Sequence, residues 1–196
     1  AMRGGLGSLT RGVCGLLRLL EIPLPYVRVG ELEDRGWFPA WLRDAMTDHL
    51  TAMFRLTGAY DSALPLLRSV AGESGEERYL DLCSGGGGAW SAVLRRAPSL
   101  DGMSVSFSDR YPNVGAWAAL AERFPGTVTY VEEPLDATAV GAEHRGTRTL
   151  FTSFHHFDAA GGERLLADAA DAGVPIGIFE VSNRNLRGLL TTLLVP

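Results

Sequence analysis

The sequence predicts an α/β fold: a mostly parallel sheet with helices on both faces, preceded by a helical extension. Three observations lead there. From Arg78 onward, short apolar runs alternate with longer alanine- and leucine-rich stretches. A run of four glycines, 85–88, joins the first apolar run to the first of those stretches. And 46% of the 196 residues are hydrophobic, enough for a packed core and too many for a disordered chain.

The elements follow in order. Residues 14–20 form one short amphipathic piece, broken by Pro23 and Pro25. Residues 37–57 predict a helix, because Trp41, Leu42, Met46, Leu50, Met53 and Phe54 fall mostly three or four apart. Pro39 sits near its start, where proline is tolerated. A second helix is expected over 60–70. The polar stretch 72–77 then separates a helical N-terminal lid, residues 1–75, from a cofactor-binding domain, residues 76–196. Within that domain the expected strands are 79–82, 103–108, 128–131, 149–154 and 174–181. The expected helices are 89–96, 114–124 and 162–172, with a loop around 136–144.

Composition excludes several functions. The formal net charge is −5, from 18 basic and 23 acidic residues, which disfavours a nucleic-acid partner. The chain contains no lysine, so neither a Schiff-base lysine nor a P-loop lysine exists. Its arginine-only basic set fits a GC-rich bacterial source. Cys14 and Cys83 can form at most one disulfide, and a chain of this length does not need it; both are expected reduced, which fits the cytoplasm. No run of eighteen apolar residues predicts a spanning helix, Ala1 before Met2 reads as an expression scar, and no signal peptide is expected.

The strongest motif is Asp81-Leu82-Cys83-Ser84-Gly85-Gly86-Gly87-Gly88 at the end of the first strand. Glycines adopt positive φ and let the backbone approach a ligand, and the following helix offers free N–H groups. This suits a nucleotide or nucleoside cofactor at the carboxyl edge of the sheet. Asp109 ends the next apolar run, 22 residues after Gly87, where a carboxylate accepts hydrogen bonds from ribose hydroxyls. A dinucleotide fingerprint fits less well, because its third glycine falls on Trp90. Asp81 is poorly placed for a pyrophosphate, but could order a loop or meet a cationic ligand.

On these residues the sequence resembles the class I S-adenosylmethionine-dependent methyltransferases, over about residues 78–184. Cys83 stands where their first motif has its first glycine. The resemblance implies S-adenosyl-L-methionine as cofactor and S-adenosyl-L-homocysteine as product. It implies a Rossmann-like sheet of order 3-2-1-4-5, with the usual last two of seven strands absent. It places the methionyl end by Asp81, Cys83, Ser84, Gly85 and Gly87, with Ser153 beside them. It places the ribose on Asp109 and the adenine near Asp136 and Ala137, with Arg110 and Tyr111 packing on its face.

The chemistry is expected in Thr152-Ser153-Phe154-His155-His156-Phe157, which in that fold lies beside the transferable methyl group. Either His155 or His156 would take a proton from a substrate hydroxyl or activated carbon. Adjacent residues on a strand point to opposite faces, so no metal site is expected. Glu180 and Asn183 are candidates for catalysis and substrate orientation. Trp37 and Phe38, beside Glu31, Glu33 and Asp34, are candidates for the substrate wall; they could equally pack as a helix start. Arg43 and His49 are expected on helix surfaces. The tetrad of enzymes that methylate nucleobase amines is missing, which favours O- or C-methylation of a small molecule. Two alternatives stand: an NAD(P)-dependent oxidoreductase, and a non-catalytic module that dimerises.

The chain ends 15 residues after Val181, too few for two more strands, and residues 186–195 are apolar. Three explanations compete: a longer parent protein, pairing with a second copy, and membrane contact through the tail.

Overall fold

β-branched and aromatic residues pack well on a pleated surface, and here they form five short strands. These are β1 (Arg78–Asp81), β2 (Ser104–Phe107), β3 (Val128–Tyr130), β4 (Thr147–Phe151) and β5 (Ile176–Phe179). All four pairings are parallel and the order is β3-β2-β1-β4-β5, as expected. The computed structural model describes residues 32–72, 77–97 and 102–181. All of these but Val181 fall in one unit, Gly30–Glu180. The helix expected over 14–20, Glu31, Asn183 and the apolar tail lie outside the described residues.

Alternation along β1 sets the two layers. Tyr79 enters one apolar cluster with Trp90, Phe107, Trp117, Phe151 and Leu67. Leu80 enters the other with Leu82, Leu150, Leu165, Ala137 and Val140. Helices α1 (Ala40–Thr57), α2 (Ala63–Gly72), α3 (Gly88–Arg96) and α4 (Val114–Arg123) precede or connect the strands, and α5 (Ala159–Asp171) leads into β5. Leu67, Trp90 and Trp117 carry α2, α3 and α4 to the first cluster, and Leu165 carries α5 to the second.

Local chemistry sets the helix ends. Asn113 Oδ1 accepts from the Ala116 amide at 3.1 Å and starts α4. Asp158 Oδ1 accepts from the Gly161 amide at 2.7 Å and starts α5 at Ala159, three residues before the apolar pattern suggests. Gly58, left-handed at φ 66°, closes α1 by donating to the Phe54 carbonyl.

Two expectations need correction. The strand expected over 149–154 ends at Phe151: Thr152 turns left-handed at φ 46°, and Phe154–His156 form a 3₁₀ turn. The apolar stripe of α1 is only in part its packing face: Phe54 packs on the first cluster, whereas Trp41, Met46 and Leu50 are exposed. The helix instead lays Thr47 and Thr51 on the glycine turn. A Cβ on Gly88 would stand 2.9 Å from the Thr51 Cα, so only glycine permits this approach.

The membrane contact expected of the tail is also corrected. Among the described residues, no helix is long and apolar enough to cross a membrane.

One ion pair sits inside the second layer. Arg148, 1% exposed on β4, bonds through Nη1 to Asp168 Oδ2 of α5 at 2.5 Å. The same oxygen accepts from the Val140 amide at 3.3 Å. Removing one partner of a buried pair strands the other charge. Asp168→Ala should therefore lower unfolding free energy by about 3–5 kcal/mol in urea titration; a loss below about 1 kcal/mol would show that the guanidinium finds water instead.

Candidate functional site

The glycine turn is held at one residue from both sides. The Gly85 amide donates to Asp109 Oδ2 at 2.9 Å, and the Gly85 carbonyl accepts from Trp117 Nε1 at 2.8 Å. Gly85 and Gly87 have φ of 50° and 72°. Cys83 is left-handed too, at φ 55°. The cysteine thus takes the conformation that a glycine in its place would adopt freely, at a cost of about 1–2 kcal/mol. Burial, then the charges of Asp109 and Asp81, push the Cys83 thiol up and keep it protonated.

Asp81 is 3% exposed. Its Oδ1 accepts from Thr149 Oγ1 at 2.7 Å, and Thr149 Oγ1 accepts from Trp90 Nε1 at 3.2 Å. Its carbonyl accepts from the Ser84 and Ser108 hydroxyls, both at 2.8 Å. Burial pushes the carboxyl up to about 7, against the hydrogen bonds from Thr149, Ser84 and Trp90. Trp90 itself is fully buried, 4.9 Å from the Tyr79 ring, and fills the space that a third glycine would leave open.

Asp109 lies just past the carboxyl end of β2. Its Oδ1 accepts from the Tyr111 amide at 2.8 Å, so each oxygen holds one backbone bond and keeps a second lone pair. Burial pushes this carboxyl up, against the Tyr111 and Gly85 amides. Arg110 is exposed. The half-buried Tyr111 is covered by the Arg43 guanidinium, 3.9 Å from its ring centre, and donates its hydroxyl to the Asp34 carbonyl at 3.2 Å. Asp136 is exposed, and its Oδ1 closes a local turn by accepting from the Thr138 amide and hydroxyl, both at 2.8 Å. Those bonds hold its carboxyl below the usual range. Ala137 is buried in the second apolar cluster.

The 3₁₀ turn after β4 overturns the premise that His155 and His156 face opposite ways. Their rings stack, with centres 4.5 Å apart and planes at 29°. His155 Nδ1 meets Glu180 Oε2 at 2.9 Å, and Glu180 Oε1 accepts from the Phe154 amide at 2.8 Å. Burial raises the Glu180 carboxyl, but His155 and the amides of Phe154 and Ser153 outweigh it and leave the carboxyl below its ordinary value. His156 Nδ1 meets Asp34 Oδ2 at 3.1 Å. Ser153, 4% exposed, keeps its Oγ without a partner among the described residues.

The aromatic pair of the lid divides. Trp37 is 71% exposed, whereas Phe38 lies 5.7 Å from the Arg43 guanidinium. Arg43 is not a surface residue as expected: it donates to the carbonyls of Glu33, Arg35 and Phe38. His49 likewise turns inward, its Nε2 buried. Asp34, Arg43 and Thr149 are the site's unforeseen members. Only Asp34 carried a signal, as part of an acidic and aromatic cluster.

No protein-family model matches the chain, and no curated protein matches it significantly. Solved structures do match. An O-methyltransferase family protein from Burkholderia thailandensis is 21% identical with a TM-score of 0.53, covering 88% of this chain and 50% of that one. NcsB1, an O-methyltransferase from neocarzinostatin biosynthesis solved with S-adenosylmethionine and 2-hydroxy-5-methyl naphthoic acid, is 20% identical with a TM-score of 0.53, covering 89% and 52%. The mitomycin 7-O-methyltransferase MmcR is 16% identical with a TM-score of 0.52, covering 95% and 54%. The chain thus has the Rossmann-like fold of these enzymes and spans about half their length.

The Asp81 carboxyl makes a pH signature. Folded, it keeps its proton to about pH 7; unfolded, it loses it near the ordinary carboxylate value. Between those values the folded state binds more protons, so this group makes stability fall as pH rises, by at most about 1.4 kcal/mol per pH unit. Asp81→Asn should flatten that slope in denaturant melts from pH 4.5 to 7.5. Identical slopes in both proteins would mean the carboxyl is already ionised at the lower pH.

Proposed function

We propose that the chain binds S-adenosyl-L-methionine and transfers its methyl group to an oxygen or carbon of a small molecule, releasing S-adenosyl-L-homocysteine. The observation that carries this reading is the pairing of the Gly85 amide with Asp109 at the carboxyl edge of a β3-β2-β1-β4-β5 sheet. The donor set fits the cofactor. Asp109 keeps a lone pair on each oxygen for the two ribose hydroxyls. The Ser153 hydroxyl is buried and unpartnered at the same edge. The cofactor supplies a methyl group on a positively charged sulfur. Trp90, packed where a dinucleotide fold needs glycine, argues against an NAD(P)-dependent reading.

The chain's own residues would do the rest. Asp81, Cys83, Ser84, Gly85 and Gly87 shape the methionyl end, and Asp136, Ala137, Arg110 and Tyr111 border the adenine. His155, held by Glu180, or His156, held by Asp34, accepts the proton that the substrate gives up. The described part of the expected lid, residues 32–72, acts as the lid, supported by the hold of Asp34 and Arg43 on Tyr111. Phe38 and Trp37 belong to the substrate wall of that lid. The NcsB1 and mitomycin enzymes, both named O-methyltransferases of natural products, support a small-molecule acceptor. A free Cys83 supports a reducing, cytoplasmic setting.

Calorimetric titration with S-adenosyl-L-homocysteine should show micromolar binding, weakened at least about tenfold in Asp109→Ala through loss of charge-assisted hydrogen bonds. Equal affinity in the two proteins would remove the ribose from Asp109. On a panel of hydroxylated small molecules, replacing the base by alanine should cut product formation by about 10²–10⁴-fold with cofactor affinity intact. If His155→Ala and His156→Ala both turn over at the wild-type rate, neither is the base.

A further inference from the structure

A cavity of about 360 Å³ lies between α1, α3 and α4 and reaches the glycine turn at Gly86. It is lined by Asp48, Thr51 and Arg55 of α1, Gly86 and Ser91, and Ala116 and Arg123 of α4. Two features set it apart. Ser91 is 1% exposed, yet its Oγ has no hydrogen-bond partner among the described residues. Buried hydroxyls are normally paired, and an orphan costs about 1–3 kcal/mol. The second feature is charge. Arg55 and Arg123 line the cavity, and their charges reach Arg95 of α3.

None of these three arginines has a carboxylate partner among the described residues, unlike Arg68, Arg96 and Arg148. Arg95 Nη2 is buried without an acceptor. Burial, then Arg55, Arg123 and Arg96, hold its guanidinium below the ordinary value. Each arginine sits in the last turn of its helix, whose carbonyl end favours a cation. That eases the crowding, but none of the three donates to a carbonyl among the described residues. The one lining carboxylate, Asp48, lies at the other end: its Oδ1 is 3.7 Å from where a Gly86 Cβ would stand, and it is two helical turns, about 10 Å, from Arg55.

We propose that this cavity binds the phosphate group of a small molecule, with Arg55 and Arg123 on its oxygens, the Ser91 hydroxyl donating to it and the Arg95 charge beside it. Two guanidiniums backed by a third positive charge suit a phosphate, which carries up to two negative charges, better than a carboxylate with one. The cavity is roomier than the ion alone, which leaves space for an esterified organic group. The site borders the glycine turn at Gly86 but uses none of the side chains assigned to methyl transfer, and it does not rest on that reading.

The test is calorimetric titration at pH 7.5 with inorganic phosphate and, separately, glycerol 3-phosphate, with sodium chloride added to constant ionic strength. Saturable binding to either probe is expected, tighter for glycerol phosphate if the ester is the natural form and for inorganic phosphate if the free ion is. The double variant Arg55→Ala/Arg123→Ala should lose at least about tenfold in affinity. Both positions are exposed, so its melting temperature without phosphate should stay close to wild type. Ser91→Ala, which leaves the arginines in place, should weaken binding several-fold. No saturable binding of either probe to the wild-type protein, or wild-type affinity in the double variant, overturns the proposal.

Discussion

The Gly85 backbone is the point on which the site depends. Its N–H is fixed by Asp109 and its carbonyl by Trp117, so one residue ties the end of β1 to the end of β2 and to α4. A left-handed backbone at Gly85 presents both groups at once, and the glycines after it let α1 approach within contact of the turn. Change that residue and four elements lose their mutual position. The same bond gives Asp109 its orientation. Its second oxygen is held by Tyr111, so the carboxylate cannot rotate away from the sheet edge.

Much of this was legible in the residue pattern. The strands, the glycine turn and Asp109 follow from apolar runs, glycines and one acid at a recognisable spacing, all features local in sequence, and the strand order follows from the family resemblance those features carry. The misreadings share a cause: long-range packing that no local pattern encodes. Nothing in residues 149–157 announces that Thr152 will turn left-handed and bring two histidines into a stack. The stripe on α1 has helical period, yet Trp41, Met46 and Leu50 stay exposed, and the helix meets the turn through its threonines because glycines face it. Arg43 looks like a surface charge until Tyr111, 68 positions on, is seen beneath it. Arg148 in the middle of a buried strand becomes sensible only with Asp168 opposite.

The segment before α1 joins what the sheet alone leaves apart. Asp34 reaches the second loop through Tyr111 and the fourth through His156, while Arg43 lies over the Tyr111 ring. Cation–π contact and charge-assisted bonds are each modest at such exposed places. Together they set the spacing between the loop after β2 and the turn after β4. A segment far from the strands in sequence therefore helps define the width of the sheet's functional edge.

The strand order also bears on how the chain is made. Of the described strands, β1 comes first in the chain and lies in the middle of the sheet. Its Tyr79 pairs with Thr147 of β4. A ribosome adding about 5–20 residues per second takes roughly 3–14 s to cover that interval. During that time one side of β1, with the apolar Tyr79, Leu80 and Leu82 around it, has no neighbour. The nascent protein thus leaves one edge of its central strand open until β4 emerges, and shielding that edge in the interval is a task for chaperones.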